Sequence, residues 1–149
     1  MKALIQRVTF AAVDIDRERI GEIGPGLAVL LGIHQDDTAE IMEKLVEKLV
    51  NLRIFKDTDG KMNLSSLDVK AEILVISQFT LYADCRKGRR PGFTGAAPPD
   101  KALTLYQKFV QQVSQYNLKT QTGRFGEHMQ VTIHNNGPVT ILLDSDELG

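Results

Sequence analysis

Apolar and polar residues alternate through the first third of the chain, the pattern of half-buried β-strands. Ala3-Leu4-Ile5-Gln6-Arg7-Val8 is one strand candidate, Ala11 to Ile15 a second, and Arg19 to Gly24 a third. Gly24-Pro25-Gly26 then breaks the chain, and Leu27 to Ile33 is apolar on both faces, as a central strand is. From Asp37 to Leu52 the period changes to that of a helix. Ile41, Met42, Leu45, Val46, Leu49 and Val50 fall on one side, and Glu40, Glu43, Lys44, Glu47 and Lys48 on the other. Asp36 and Asp37 supply start signals. Asp57-Thr58-Asp59-Gly60 reads as a turn, and Ala71 to Ser77 as a second buried strand running on into Gln78-Phe79-Thr80-Leu81. Tyr82 to Pro99 is rich in glycine, proline and charge, a long surface loop of the kind that more often serves function than decoration. A second helix opens at Pro98-Pro99-Asp100 and runs to about Tyr116, with Ala102, Leu105, Tyr106, Phe109, Val113 and Tyr116 as its buried stripe. Thr120 to Phe125 leads into a final pair of strands.

That pair contains a conflict. Met129 to Ile133 and Val139 to Leu143 both alternate, and Asn136-Gly137 between them is the strongest short hairpin signal. In such a turn residue 138 donates the closing N–H, and Pro138 has none. A type VI turn, with a cis Gly137–Pro138 bond, resolves the conflict. Only about 5–6% of X-Pro bonds in folded proteins are cis, so frequency alone favours trans, and the residues leave both open. A cis bond would turn the neighbouring carbonyls to one side, where such a pair can bind an ammonium group or block a substituent.

The order of strands, helix, strand, helix and strands indicates an α+β domain with a mixed sheet, the helices covering one side. A sheet edge is left to manage, and dimerisation is a common way to cover it.

Composition narrows the function classes. A chain of 149 residues fits one compact domain over 1–149, and 42% hydrophobic with 25% charged residues is ordinary for a globular protein. No apolar run is long enough to cross a bilayer, and Met1 to Val8 lacks the features of a signal peptide. A cytoplasmic location is the expectation, and the single Cys85 agrees with a reducing compartment. The formal net charge of −1 excludes a broadly basic nucleic-acid binder, so any such role needs a local patch. Arg86-Lys87-Gly88-Arg89-Arg90-Pro91 is the candidate, with arginines suited to phosphate.

The three histidines, His34, His128 and His134, have no metal-ligand spacing with Cys85 or the carboxylates, and no metal is expected. His134 lies beside the Asn-Gly-Pro segment, either as a general base or as a half-exposed strand histidine. Ser77-Gln78-Phe79-Thr80 ends the most apolar strand, where functional side chains often emerge. Ser77 or Thr80 as a nucleophile would need a base and an orienting group, and neither a Gly-x-Ser-x-Gly elbow nor a triad is visible.

Taken together, several segments resemble one family. They are Ala3 to Thr9, Gly21 to Gly24, Arg53 to Phe55, Gly60 to Leu64, Ser77 to Leu81 and Arg90-Pro91, then Gln121 to Phe125, Met129 to Val131 and Asn135 to Thr140. In this order they resemble the D-aminoacyl-tRNA deacylases, with Ser-Gln-Phe-Thr and Asn-x-Gly-Pro-Val-Thr the most specific pieces. The resemblance implies a barrel-like core of mixed and antiparallel strands in β/β/α layers, with two main helices on one side. It implies a homodimer with active sites at its interface and no metal or organic cofactor. Ser77, Gln78, Phe79 and Thr80 would line the pocket of one subunit, and Gly137 and Pro138 of the other would reach into it through a cis bond. Arg7 would orient the Gly-Pro carbonyls, and Met129 would form pocket wall. The implied reaction is hydrolysis of the ester in D-aminoacyl-tRNA and glycyl-tRNA, rejecting L-aminoacyl-tRNA, with the tRNA 2′-hydroxyl assisting. Arg86, Lys87, Arg89 and Arg90 would contact the tRNA. Thr80 as a protein nucleophile, and a tRNA-binding dimer without catalysis, are the alternatives.

Overall fold

The computed structural model describes residues 1–149. Its elements run β1 (Lys2–Ile15), β2 (Glu18–Ile23), β3 (Gly26–Gly32), α1 (Ala39–Asn51), β4 (Phe55–Lys56), β5 (Met62–Leu64), α2 (Ser66–Val69), β6 (Glu72–Ser77), α3 (Pro99–Ser114), β7 (Thr120–Thr122) and β8 (Gln130–Asp144). The two strand candidates at the start are a single strand, β1, the axis of the sheet. Its first half pairs antiparallel with β3 and its second half with β2, while β8 runs antiparallel along its other edge. β3 and β6 are parallel, as are β6 and β7, which gives the order β2-β1-β3-β6-β7. The far strands then meet: a Cβ built on Gly21 of β2 would stand 2.5 Å from the Thr122 carbonyl oxygen of β7. The result is a mixed α/β fold around a nearly closed, barrel-like sheet.

The apolar runs explain the layers. In β3 and β6 one set of side chains, Leu27, Val29, Leu31, Ile73 and Val75, packs with α1 and α3 in the main core. The alternate set, Ala28, Leu74 and Ile76, packs with Val8, Ala11, Val13 and Ile23 inside the curl. α1 buries Met42, Leu45, Val46, Leu49 and Val50. α3 buries Leu105, Tyr106, Phe109 and Val113, with Ala102 and Tyr116 half-buried at its ends. The Tyr106 hydroxyl donates to the Val75 carbonyl at 2.8 Å and ties α3 to β6. Burial of fully enclosed side chains such as Phe109 and Leu45 contributes about 1.5–3 kcal/mol each.

Several expectations are corrected. Thr38, not Asp36 or Asp37, caps α1, accepting from the Ile41 N–H at 3.3 Å. Asp37 is buried instead, its carboxylate accepting from the His34 N–H at 2.6 Å and from the Met1 amino group at 2.8 Å. The short α2 has no apolar period to announce it, although Ser65 and Asp68 form its capping box. Gln78 to Leu81 does not continue β6, because Phe79–Tyr82 winds into a 3-10 turn. Thr120 to Thr122 is a strand in its own right rather than a lead-in.

The largest correction is at the C-terminus, where no hairpin forms. Both halves of the expected pair belong to β8 and pair with β1, Gln130 to Asn135 opposite Asp14 to Val8 and Thr140 to Asp144 opposite Gln6 to Lys2. Asn136 to Val139 bulge opposite Arg7. The Gly137–Pro138 bond is cis, and Gly137 has φ +141, a region that favours glycine. The donor that Pro138 lacks is not needed, since the chain does not reverse. The Asn135 side chain ties the bulge instead, accepting from the Val139 N–H at 2.7 Å and donating to Thr140 Oγ1 at 2.9 Å.

Candidate active site

β3 and β6 run parallel, so their C-terminal ends open on the same side, and a cavity of about 660 Å³ lies there. Leu31 and Ile76 line it from the strand ends, Pro99 and Ala102 from the start of α3, and Phe125 to Met129 with Val131 from the segment entering β8. Most of the lining is apolar, with Ser77 and Gln78 among the polar groups. Phe79 stands at the mouth, 56% exposed, with its ring edge-on to Phe93 at 4.9 Å between centroids. The loop carrying Phe93 is tied to the end of β3: the Ala97 N–H donates to Ile33 O at 2.8 Å and the Gln35 N–H to Gly95 O at 3.0 Å. The long Gly/Pro-rich loop is therefore a wall of the cavity as well as surface.

The Ser77 to Thr80 segment turns sharply out of β6. The Gln78 amide donates to Thr80 Oγ1. Neither the Ser77 nor the Thr80 hydroxyl is bonded to a histidine or carboxylate, so neither has the base a nucleophile requires. Phe79 and Thr80 open the 3-10 turn, where N–H groups have no acceptor within the turn. On the opposite wall, Glu127 and His128 follow Gly126 (φ +79), with Arg124 Nη1 3.9 Å from Glu127 Oε2. No three metal-ligating side chains converge anywhere in the structure.

Arg7, Gly137 and Pro138 form a separate cluster and are not in the lining of this cavity. Arg7 is buried; its Nε donates to Asn136 O at 3.0 Å and its Nη1 to Ile54 O at 2.7 Å. Its Nη2 lies 3.1 Å from where a Gly137 Cβ would be. Asn136, Gly137 and Pro138 are exposed.

The basic loop forms a third group. Asp84 and Gly92 exchange backbone hydrogen bonds at 2.7 and 2.9 Å, pinching the loop at its base beside Phe93. Arg86 is engaged with Asp84, at 2.8 Å from Nη2 to Oδ2, and this hydrogen bonding pulls the Asp84 carboxyl down to about 2. Lys87, Arg89 and Arg90 are exposed and form no ion pair. His134 lies in the middle of β8, exposed, with its ring 5.3 Å from that of Phe10.

Of the expected residues, Ser77, Gln78, Phe79 and Met129 thus meet at one cavity, and Thr80 adjoins it through Gln78. Sequence reading missed Phe93, Phe125, Glu127 and His128 as lining residues. An aromatic inside a Gly/Pro-rich loop was the available signal for Phe93.

A family model described as D-Tyr-tRNA(Tyr) deacylase matches residues 4–144. The D-aminoacyl-tRNA deacylase of Natranaerobius thermophilus is 57% identical over 148 residues, covering 99% of each chain. That of Thermosipho africanus is 55% identical over 148 residues, again covering 99% of each. A solved structure described as c-Myc DNA Unwinding Element Binding Protein matches with a TM-score of 0.91 at 44% identity, covering 97% of this chain and 98% of that one. Another, described as "Structural Analysis of a probable eukaryotic D-amino acid tRNA deacylase", matches with a TM-score of 0.83 at 17% identity, covering 95% and 97%, a likeness of fold. Near-complete coverage at such identity settles the family: the chain belongs to the D-aminoacyl-tRNA deacylase family of hydrolases.

Proposed function

We propose that the chain, as one domain over 1–149, clears D-aminoacyl-tRNA and glycyl-tRNA in the cytoplasm, rejecting the L-isomer with the Gly137–Pro138 segment of a second copy. The observation that carries this reading is the bulge in β8. It is exposed, it is tied by Arg7 and Asn135, and it sits on a strand whose outer edge has no partner. Along β1, the bulge opposite Arg7 is four residues from Ala3, the partner of cavity-lining Leu31, and six from Val13, the partner of cavity-lining Val131, or about 13–20 Å of extended strand. A bulge that far from its own cavity serves a neighbouring one, and the free edge of β8 is a surface on which a second copy can dock. D and L isomers carry the same groups, so a fixed obstacle separates them better than an added attraction. Glycine has no side chain to obstruct and enters.

In the cavity, water adds to the ester carbonyl and the bond to the ribose oxygen then breaks, releasing tRNA and the amino acid. In this reading the N–H groups of Phe79 and Thr80, which have no acceptor within their turn, stabilise the developing oxyanion. With no protein base beside Ser77 or Thr80, the tRNA 2′-hydroxyl assists the attacking water. Thr80 as nucleophile ranks behind, because the Gln78 amide donates to its oxygen and nothing takes its proton. Lys87, Arg89 and Arg90, exposed on the loop that leads into Phe93, contact tRNA phosphates, while Arg86 shapes that loop through Asp84.

Hydrolysis of D-tyrosyl-tRNA set against L-tyrosyl-tRNA tests the reading. Cleavage of the D-isomer alone is expected, and equal cleavage of both overturns the chiral obstacle. A tRNA ending in 2′-deoxyadenosine should lose most of its reactivity, and full reactivity would exclude the 2′-hydroxyl.

A further inference from the structure

Gly123 is not in the lining of the cavity, yet it touches the cavity through another residue. A Cβ built on Gly123 would stand 2.3 Å from Met129 Sδ and 3.3 Å from Val13 Cγ1. Gly123 does not occupy the left-handed backbone region, so alanine suits its main chain and only the side-chain space opposes it. The two neighbours differ in what they can do. Val13 is fully buried inside the curled sheet, and at 3.3 Å it needs to give by only a few tenths of an ångström. Met129 is half-buried, lines the cavity, and ends in a flexible thioether. A side chain at 123 therefore displaces Met129, and the open space beside Met129 is the cavity itself.

We propose that Gly123 is a positioning residue that sets the volume of the substrate cavity. Its missing side chain is the seat of the Met129 thioether, and the seated thioether leaves free the space that the aminoacyl end of the tRNA enters. The inference rests on the reading that this cavity takes the substrate. Filling the seat narrows the cavity without touching the Ser77 to Thr80 turn, so binding suffers and the chemical step does not.

Three variants test it: Gly123→Ala, Met129→Ala and the double variant, each assayed in steady state on D-tyrosyl-tRNA and by urea unfolding. For Gly123→Ala, KM should rise by about tenfold with kcat within about twofold, an overpacking effect that weakens binding of the ground state and the transition state equally. The protein should stay folded, because the part that yields is a flexible side chain. The double variant should recover the KM of Met129→Ala, since the shorter side chain no longer needs the seat. An unchanged KM in Gly123→Ala, a loss in kcat alone, an unfolded Gly123→Ala or a double variant no better than Gly123→Ala would each overturn the proposal. If Met129→Ala also leaves KM unchanged, the cavity is not where substrate binds, and the functional reading fails with it.

Discussion

Arg7 Nε donates to the carbonyl oxygen of Asn136 at 3.0 Å, joining residues 129 positions apart in the chain. The same guanidinium reaches Ile54 O at 2.7 Å, so a buried cation is held by two backbone carbonyls and no carboxylate. A planar fork with several donors is suited to this, and it fixes the main chain on one side of the Gly137–Pro138 segment.

Replacing Arg7 should therefore loosen the bulge. Arg7→Met keeps the apolar stem but leaves both carbonyls without their donor, at a cost of about 3 kcal/mol for two bonds to a charged group. The urea midpoint should fall with an unchanged slope, and the ratio of D- to L-tyrosyl-tRNA hydrolysis should fall with it. Arg7→Lys should recover little of either, because an ammonium cannot span both acceptors.

Thr80→Val should retain hydrolysis within about tenfold of the unaltered protein, where loss of a true nucleophile costs on the order of 10⁶ in kcat. Single-turnover assays on D-tyrosyl-tRNA distinguish the two. Inactivity on the larger scale would restore Thr80 as the attacking group.

Exchanging Lys87, Arg89 and Arg90 together for alanine should raise KM with little change in kcat. If the three contact one phosphate each, the salt dependence should flatten by about 2–3 in the slope of log affinity against log salt. Titrating tRNA binding from low to moderate salt measures the slope directly. Cavity and fold should be untouched, since the three side chains are exposed.

Burial pushes the Tyr106 phenol up to about 12. The unfolded chain ionises near 10, so between about pH 10 and 12 it sheds a proton that the folded protein retains. Stability attributable to Tyr106 is thus complete below pH 10 and declines as pH rises toward 12, by about 2–3 kcal/mol in all. Tyr106→Phe should be less stable at neutral pH by about 1 kcal/mol, through loss of the bond to Val75 O. It should also lack this part of the alkaline decline when unfolding is followed from pH 9 to 12.

Legibility in the sequence followed the range of the interaction concerned. The apolar stripes of α1 and α3 and the two-sided runs of β3 and β6 report directly on burial, and they matched. The end of β6 marked the cavity because a parallel pair of strands opens its C-terminal ends together. Asp37 misled as a helix start because a carboxylate has more than one use, and burial against His34 N and the Met1 amino group took it from the cap. Phe93 and Phe125 lay outside any periodic segment, so nothing local tied them to Ser77 and Phe79.

β8 shows where the boundary falls. Alternation along Met129 to Ile133 and Val139 to Leu143 determined which side chains could face inward. It did not determine the neighbour, because pairing with each other or with β1 satisfies the same period of two. The residues alone thus established the two main helices, the buried faces of the central strands and the family motifs. Only the tertiary structure decided that the two segments are one strand along β1, that Asn136 to Val139 bulge out opposite Arg7, and that Gly123 leaves the seat for Met129. These depend on contacts between distant parts of the chain, which packing selects and local pattern does not specify.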